Sequence, residues 1–333
     1  MSVNVAIVGA TGAVGQEFLT VLAERNFPIR SLKLLASARS AGKKEQFKGQ
    51  TYTVEELTKD SFREVKIAFF SAGGSISKEF APAAVAAGAV VVDNTSAFRM
   101  KEGIPLVVPE VNPEQIQKHA GLIANPNCST IIMNVPVWPL HKVNRVRRLV
   151  ISTYQAVSGA GAWGLYELDK QIKCYANGQP IVKEKFPHPI VNNLFSHNSK
   201  VAENGYNEEE NKMVNETRKI FSDPKIMVSA TCVRVPVPRA HCEAINIEFE
   251  RPMNPQQVRD ILSKAPGVRI VDDPAANHFP MPQEASGQDN VLVGRIRQDI
   301  SRDDGRGIDL FVSGDQIRKG AATNAVQIAE RLI

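Results

Sequence analysis

Short apolar runs alternate with stretches of helical spacing through the N-terminal part of the chain. Val3–Val8 is an apolar run that ends at Gly9, and Val14–Arg25 then carries apolar residues at helical intervals. Leu32–Ala36 predicts a second strand. Val65–Phe70 and Val90–Asp93 predict two more, with a helix over Ser77–Ala87 between them, and Leu106–Val108 and Leu122–Ala124 follow. Short buried strands separated by helices predict a parallel, doubly wound α/β sheet.

The second half has a different rhythm. Leu149–Val157, Lys225–Val237, Ala244–Glu250, Val268–Val271, Val291–Gln298 and Asp309–Ser313 are strand-like, and helices are fewer: Ala162–Ala176, Glu208–Phe221 and Pro255–Ala265. This predicts an α+β unit with a mostly antiparallel sheet. Gly178–Gly205, rich in Pro, Asn and His, predicts an extended surface loop. The last helix, Gln316–Leu332, carries Ala321, Ala322, Ala325 and Ala329, small enough for close approach to another element. It is expected to pack back on the first domain.

With 333 residues the chain has room for about two domains. The net charge of +5 is spread too thinly to imply nucleic acid, and suits small anionic ligands as well. No apolar stretch reaches the ~20 residues of a membrane span; Ala81–Val92 is broken by Pro82 and Gly88. Cys128, Cys174, Cys232 and Cys242 form neither a CxxC pair nor a dense framework, so a reducing cytoplasm is the expected compartment.

The first strand runs into Gly9-Ala10-Thr11-Gly12-Ala13-Val14-Gly15 and then a helix. This GxxGxxG is a variant of the dinucleotide fingerprint, in which glycines admit the pyrophosphate to a helix N-terminus. The second strand ends in Ala36-Ser37-Ala38-Arg39-Ser40-Ala41 with no acid for a ribose 2′-hydroxyl. Ser37, Arg39 and Ser40 can instead bind a 2′-phosphate, so NADP is the expected cofactor.

Asn125-Pro126-Asn127-Cys128-Ser129-Thr130 lies between a buried strand and the apolar helical run Ile131–Val137. A thiol at a helix N-terminus is placed to act as a thiolate nucleophile. A nucleophilic cysteine beside a nicotinamide cofactor implies aldehyde oxidation through a thioester, or the reverse reduction of an acyl phosphate. A base is needed, and six histidines compete. His119 and His141 read as helix-end residues, and His188, His197 and His278 as loop residues. His241 follows Arg234-Val235-Pro236-Val237-Pro238-Arg239-Ala240, where an arginine fork and an imidazole on one strand-turn suit a carboxylate-bearing substrate. No metal-ligand spacing is present, and His241 and Cys242, adjacent on a strand, face opposite sides.

Gly9–Gly15, Asn125–Thr130, Ser152-Thr153-Tyr154-Gln155-Ala156-Val157-Ser158-Gly159-Ala160-Gly161, Arg234–His241 and Arg318–Ala325 occur in this order. Together they make the chain resemble bacterial-type aspartate-β-semialdehyde dehydrogenases over essentially its full length. The resemblance implies a Rossmann-type dinucleotide-binding domain over residues 1–127, completed by the helix 316–333. It also implies an α+β glyceraldehyde-phosphate-dehydrogenase-like catalytic and dimerisation domain over residues 128–315. The implied reaction is NADPH-dependent reduction of β-aspartyl phosphate to aspartate semialdehyde and phosphate. That step leads to lysine through diaminopimelate, and to threonine, methionine and isoleucine.

By the same resemblance Cys128 is the nucleophile, His241 the acid/base, and Gln155 the residue that orients the substrate. Arg234 meets the α-carboxylate and Glu209 the amino group. Arg99 and Lys212, with Ser96 and Asn127, bind the phosphate. Gly9, Thr11, Gly12, Ala13, Val14, Ser37, Arg39, Ser40, Ser158 and Gly159 are expected at the cofactor. The family often has Asn where this chain has Gln316, one methylene longer, so the cofactor contact expected there is altered. The expected partners are the small-molecule substrate and a second copy of the chain, as a homodimer or a dimer of dimers, with no nucleic acid, membrane or metal. N-Acetyl-γ-glutamyl-phosphate reductase, and an NADP-binding sensor on the same scaffold, are the alternatives.

Overall fold

The computed structural model describes residues 2–333, which form two compact units, 2–127 with 321–333, and 128–320. The first unit is built on a seven-stranded sheet. Its elements are β1 (Val3–Val8), α1 (Ala13–Glu24), β2 (Ile29–Ala36), β3 (Lys44–Phe47), β4 (Gln50–Glu56), β5 (Ile67–Phe70), α2 (Gly74–Ala86), β6 (Val90–Asp93) and β7 (Leu122–Ala124). Spatial order is β3-β4-β2-β1-β5-β6-β7, parallel throughout except for the β3–β4 hairpin. The apolar runs are continuous because both faces are covered. Val5 and Ile7 pack with Phe18, Leu22, Val326 and Ile328, whereas Ala6 and Val8 pack with Phe70, Ala81 and Ala84.

Three details of this unit differ from the sequence reading. Leu106–Val108, flanked by Pro105 and Pro109, forms only a single bridge from Leu106 to Ala124. The β3–β4 hairpin was not predicted because its strands are too polar to alternate cleanly. Its tight turn rests on Lys48 and Gly49, both at positive φ (47° and 78°), as a two-residue hairpin loop requires. The C-terminal helix starts at Thr323, after a π-helical turn over Arg318–Ala322, and ends at Glu330. Ala322, Ala325 and Ala329 bury it in the first unit, and Arg25 pairs with Glu330 at 2.7 Å.

The second unit carries α3 (Cys128–Val143), β8 (Val146–Gln155), α4 (Ala162–Ala176), β9 (Phe195–Ser196), α5 (Glu208–Phe221), β10 (Met227–Arg234), β11 (His241–Phe249), α6 (Pro255–Leu262), β12 (Val268–Ile270), α7 (Pro282–Ala285), β13 (Val291–Gln298) and β14 (Gly307–Gly314). Its sheet has the order β12-β13-β14-β11-β8-β10-β9 and is mostly antiparallel, as predicted; β10–β8 and β12–β13 run parallel. One consequence sets up the site. The parallel strands β8 and β10 end together, at Gln155 and Arg234, which are register partners. The antiparallel β11 begins beside them at His241.

Candidate active site

In the first unit a cleft of about 440 Å³ opens at the end of β1. Gly9, Thr11, Gly12, Ser37, Arg39 and Ser40 line it. Gly9 sits at φ +88°, and a Cβ there would lie 2.7 Å from the Ser71 carbonyl oxygen. At Gly15 a Cβ would lie 2.2 Å from the Gly9 carbonyl oxygen, so the helix can approach the turn only because residue 15 is glycine. These features fit a dinucleotide: an open turn, a helix N-terminus at Gly12 and Ala13, and a cation with hydroxyls at Arg39, Ser37 and Ser40. Ala13 and Val14 form the first turn of α1 and do not line the cleft. Glu56, in register with Ala36 across β4 and β2, does line it. The sequence reading found no acid after the second strand and missed this one.

Arg99 is buried in the same unit. Its Nε donates to the Asn125 carbonyl (2.9 Å) and one Nη to the Asn94 carbonyl (2.8 Å), so the guanidinium is fixed in place. Ser96 is exposed in the bend after Asp93, and Asn127 is buried at the end of the segment that leads to α3.

In the second unit Cys128 is the first residue of α3 and partly accessible. Its neighbour Ser129 accepts a hydrogen bond from Gln155 Nε2 at 3.0 Å. The same amide nitrogen approaches Glu209 Oε1 at 3.4 Å, and Glu209 Oε2 accepts from Lys212 Nζ at 3.0 Å. Glu209 and Lys212 are one turn apart on α5, whose start is fixed by an Asn207–Glu210 capping box. Glu210 also accepts from the Cys232 N–H, tying the start of α5 to β10.

A second knot forms around Ala156. Its N–H donates to His241 Nδ1 at 3.0 Å, and its carbonyl accepts from an Nη of Arg234 at 2.7 Å. His241 is fully buried, and burial pulls its pKa down to about 3, with the Arg234 charge acting in the same direction. Because Nδ1 accepts a backbone N–H, the neutral ring carries its proton on Nε2. That Nε2 has no hydrogen-bond partner among the described residues. Burial also lowers the pKa of Arg234, opposed by the Glu209 carboxylate. Gly159 lies against both groups: a Cβ there would be 3.0 Å from an Arg234 Nη and 3.1 Å from His241 Cε1.

The chain matches two family models, "Semialdehyde dehydrogenase, NAD binding domain" over residues 4–119 and "Semialdehyde dehydrogenase, dimerisation domain" over residues 137–319. Aspartate-semialdehyde dehydrogenase of Synechocystis sp. is 54% identical over 99% of this chain and 97% of the relative. The chain belongs to the aspartate-semialdehyde dehydrogenase family. A further family member, from Bacillus subtilis, is 48% identical over 99% of this chain and 97% of its own length. Among solved members, aspartate semialdehyde dehydrogenase II of Vibrio cholerae complexed with ASA superposes with a TM-score of 0.97. It is 49% identical and covers 100% of this chain and 98% of that one. The Candida albicans enzyme, solved with NADP, is 27% identical at a TM-score of 0.77, covering 99% of this chain and 98% of its own. The chain is accordingly an oxidoreductase with a Rossmann-like nicotinamide-cofactor domain and a dimerisation domain. Among the described residues no helix is long and apolar enough to cross a membrane.

Some residues of this family member's site were not singled out from sequence. Ser129, the neighbour of Cys128, is bound by Gln155, and no local signal separates it from any helix-start serine. His197 was read as a loop residue. Its N–H donates to the Cys232 carbonyl, and its ring nitrogen pairs with Ser199, whose Oγ accepts from the Glu209 N–H. Burial draws its pKa down to about 4, while Glu209 pulls it the other way. Gly320 lies against Cys128: a Cβ there would be 2.8 Å from the cysteine Cβ. Ser158 and Gln316, which the sequence did single out for the cofactor, are joined to each other through the Gln316 amide nitrogen and the Ser158 hydroxyl.

Proposed function

We propose that this chain catalyses the reversible, NADP-dependent reductive dephosphorylation of L-aspartyl-4-phosphate to L-aspartate-4-semialdehyde through a thioester on Cys128. The observation that carries this reading is the Gln155 amide. It joins Ser129, beside the thiol, to the Glu209–Lys212 pair, so a nucleophile and groups for an ammonium and an anion share one hydrogen-bonded array.

The Cys128 thiolate, favoured by the N-terminus of α3, attacks the acyl phosphate and releases phosphate. When bound, the cofactor supplies a hydride to the thioester carbon. Collapse of the resulting hemithioacetal returns the aldehyde and the thiolate. His241 holds a proton at Nε2 where a developing oxygen charge would need it, the role assigned to the acid/base. Arg234 offers a planar fork to the α-carboxylate, and Glu209 an anion to the ammonium. Lys212 and Arg99, with Ser96 and Asn127, are the phosphate ligands. In the first unit Gly9, Thr11, Gly12, Ser37, Arg39 and Ser40, with the backbone N–H groups of Ala13 and Val14 at the start of α1, are the proposed cofactor residues; in the second unit Ser158 and Gly159 are. The reaction would serve lysine and diaminopimelate, threonine, methionine and isoleucine synthesis. Four cysteines held outside disulfides support a cytoplasmic setting. Trp163, Tyr166 and Tyr175, exposed on α4, support a homodimer.

The test is an assay of NADPH formation from aspartate semialdehyde, NADP and phosphate. Activity in the wild type, and its loss in Cys128→Ala with NADP binding intact, is the expected result. Turnover of Cys128→Ala near the wild-type rate would overturn the thioester route. Preference for N-acetylglutamate semialdehyde would move the chain to the other reductase.

A further inference from the structure

Ala240, the residue before His241, has a left-handed backbone, φ +69°, which an alanine rarely adopts. It is buried, and something must hold it there. Its N–H donates to Oε1 of Gln316 at 2.9 Å. The Nε2 of the same amide donates to the Ser158 hydroxyl. Gln316 is itself buried, so both ends of its amide are used inside the unit. Asp315 reinforces the arrangement. Its Oδ2 accepts from Arg239 Nε at 2.6 Å and from the Gly287 N–H at 2.7 Å, while its Oδ1 caps the N–H groups of Ile317 and Arg318. The strained turn is thus clamped from the Arg239 side by Asp315 and from the Ala240 side by Gln316. Ser158 lies two residues beyond Ala156, whose N–H fixes the His241 ring. One amide therefore spans the turn that enters β11 and the turn that leaves β8.

We infer that Gln316 is a positioning residue for His241: its amide holds Ala240 in the left-handed conformation and Ser158 in place, and so fixes the imidazole that carries the proton. The sequence suggested a cofactor contact at this position; in the structure the amide bridges the two turns. The inference rests on the proposed role of His241 for its consequence in turnover, but not for its structural content.

The test compares Gln316→Ala, Ala240→Gly and the double variant, with histidine-selective ¹⁵N NMR as a readout that needs no substrate. In the wild type His241 is expected to show a bare Nδ1 and a protonated Nε2. Gln316→Ala should broaden or mix these signals and lower kcat by about 10–100-fold, the scale of a slightly misplaced catalytic group. The KM for NADP, whose proposed site includes Ser158, should change by a smaller factor than kcat. Glycine at 240 enters the left-handed region without strain, so Gln316→Ala with Ala240→Gly should recover part of both the NMR pattern and kcat. Gln316→Glu, which still offers an oxygen to the Ala240 N–H, is the second variant should the alanine fail to fold; it should retain the wild-type ring pattern. An unchanged His241 spectrum in Gln316→Ala overturns the inference, as does a loss confined to NADP affinity. If the wild type fails to oxidise aspartate semialdehyde, the functional reading falls while the NMR comparison still decides the positioning role.

Discussion

The backbone N–H of Ala156 donates to Nδ1 of His241 at 3.0 Å, which leaves the neutral ring presenting an N–H, not a lone pair, at Nε2. A second proton on this ring would have to displace the Ala156 N–H. His241 should therefore rest neutral over the working range and meet the developing oxygen charge with its Nε2 proton. His241→Ala should lower kcat by about 10²–10³-fold, as removal of an oxyanion donor does, with a smaller change in KM. The wild-type kcat profile should lack an acid limb near the ordinary histidine value. A limb near pH ~6.5 that disappears in His241→Ala would show that the ring titrates during turnover.

The same burial makes a stability prediction. His241 titrates at about 3 in the folded chain against an ordinary value of 6.5, and His197 at about 4. Between those limits the unfolded chain binds more protons than the folded one. Stability from the two neutral rings is thus fully present above pH ~6.5 and is lost as pH falls through the window. Each ring contributes a slope of up to ~1.4 kcal/mol per pH unit there. Urea unfolding at pH 7 and pH 5 should show a loss smaller by about 2 kcal/mol in His241→Asn than in the wild type. Equal losses would mean that the ring is not held neutral.

Cofactor choice should depend on two opposed side chains of the first unit. Arg39 and Glu56 line the same cleft. Arg39→Ala would remove the charge-assisted bond proposed to a 2′-phosphate, so it should weaken NADP far more than NAD. Glu56→Gln should act in the reverse sense, improving NADP by relieving repulsion. Titrations with both nucleotides read this directly. Equal losses for the two nucleotides in Arg39→Ala would show that the loop does not sense the 2′ position.

What could be read from sequence follows the range of the interactions involved. The glycine turn, its flanking strand and helix, and the junction at Cys128 are local patterns, so the residues themselves announce them. Glu56 escaped because its hairpin is polar and its pairing with Ala36 is set by β2, twenty residues earlier. The union of Gln155 with Arg234 depends on parallel pairing between strands separated by α4 and α5, which no local pattern encodes. Ser129, His197 and Gln316 likewise gain their roles only from partners distant in sequence. The π-helical turn at Arg318–Ala322 was hidden within an alanine-rich segment whose composition favours an ordinary helix.

Arg234 should separate binding from chemistry. Its Nη holds the Ala156 carbonyl, and its buried fork is proposed to meet the substrate carboxylate. Arg234→Lys keeps the charge and loses the fork. It should raise KM for aspartate semialdehyde by the equivalent of about 1.5–3 kcal/mol, with a smaller fall in kcat from a loosened carbonyl. Steady-state kinetics on the semialdehyde check this. A fall confined to kcat would place Arg234 with the reacting atoms instead of with the carboxylate.

Gly320 tests how closely the position of Cys128, the proposed nucleophile, is set. The chain packs this glycine against Cys128 so tightly that an alanine Cβ would lie 2.8 Å from the cysteine Cβ and 3.2 Å from its Cα. Neither atom belongs to a flexible side-chain tip, so one backbone must shift. The Gly320 N–H is held by the Asp315 carbonyl at 3.0 Å, and Asp315 is in turn clamped by Arg239 and Gly287. The resistance on that side makes the start of α3 the part that moves. Gly320→Ala should therefore cost about 1–3 kcal/mol in stability, as overpacking does. It should also lower kcat by on the order of 10²-fold through displacement of the thiol. The rate of Cys128 alkylation by iodoacetamide should change in parallel, because that rate reads the thiol's setting without any substrate. Gly320→Ser should behave similarly, since the obstructing atom is the Cβ. If Gly320→Ala keeps wild-type kcat and alkylation rate while losing only stability, the helix start tolerates the shift, and the close packing serves the fold alone.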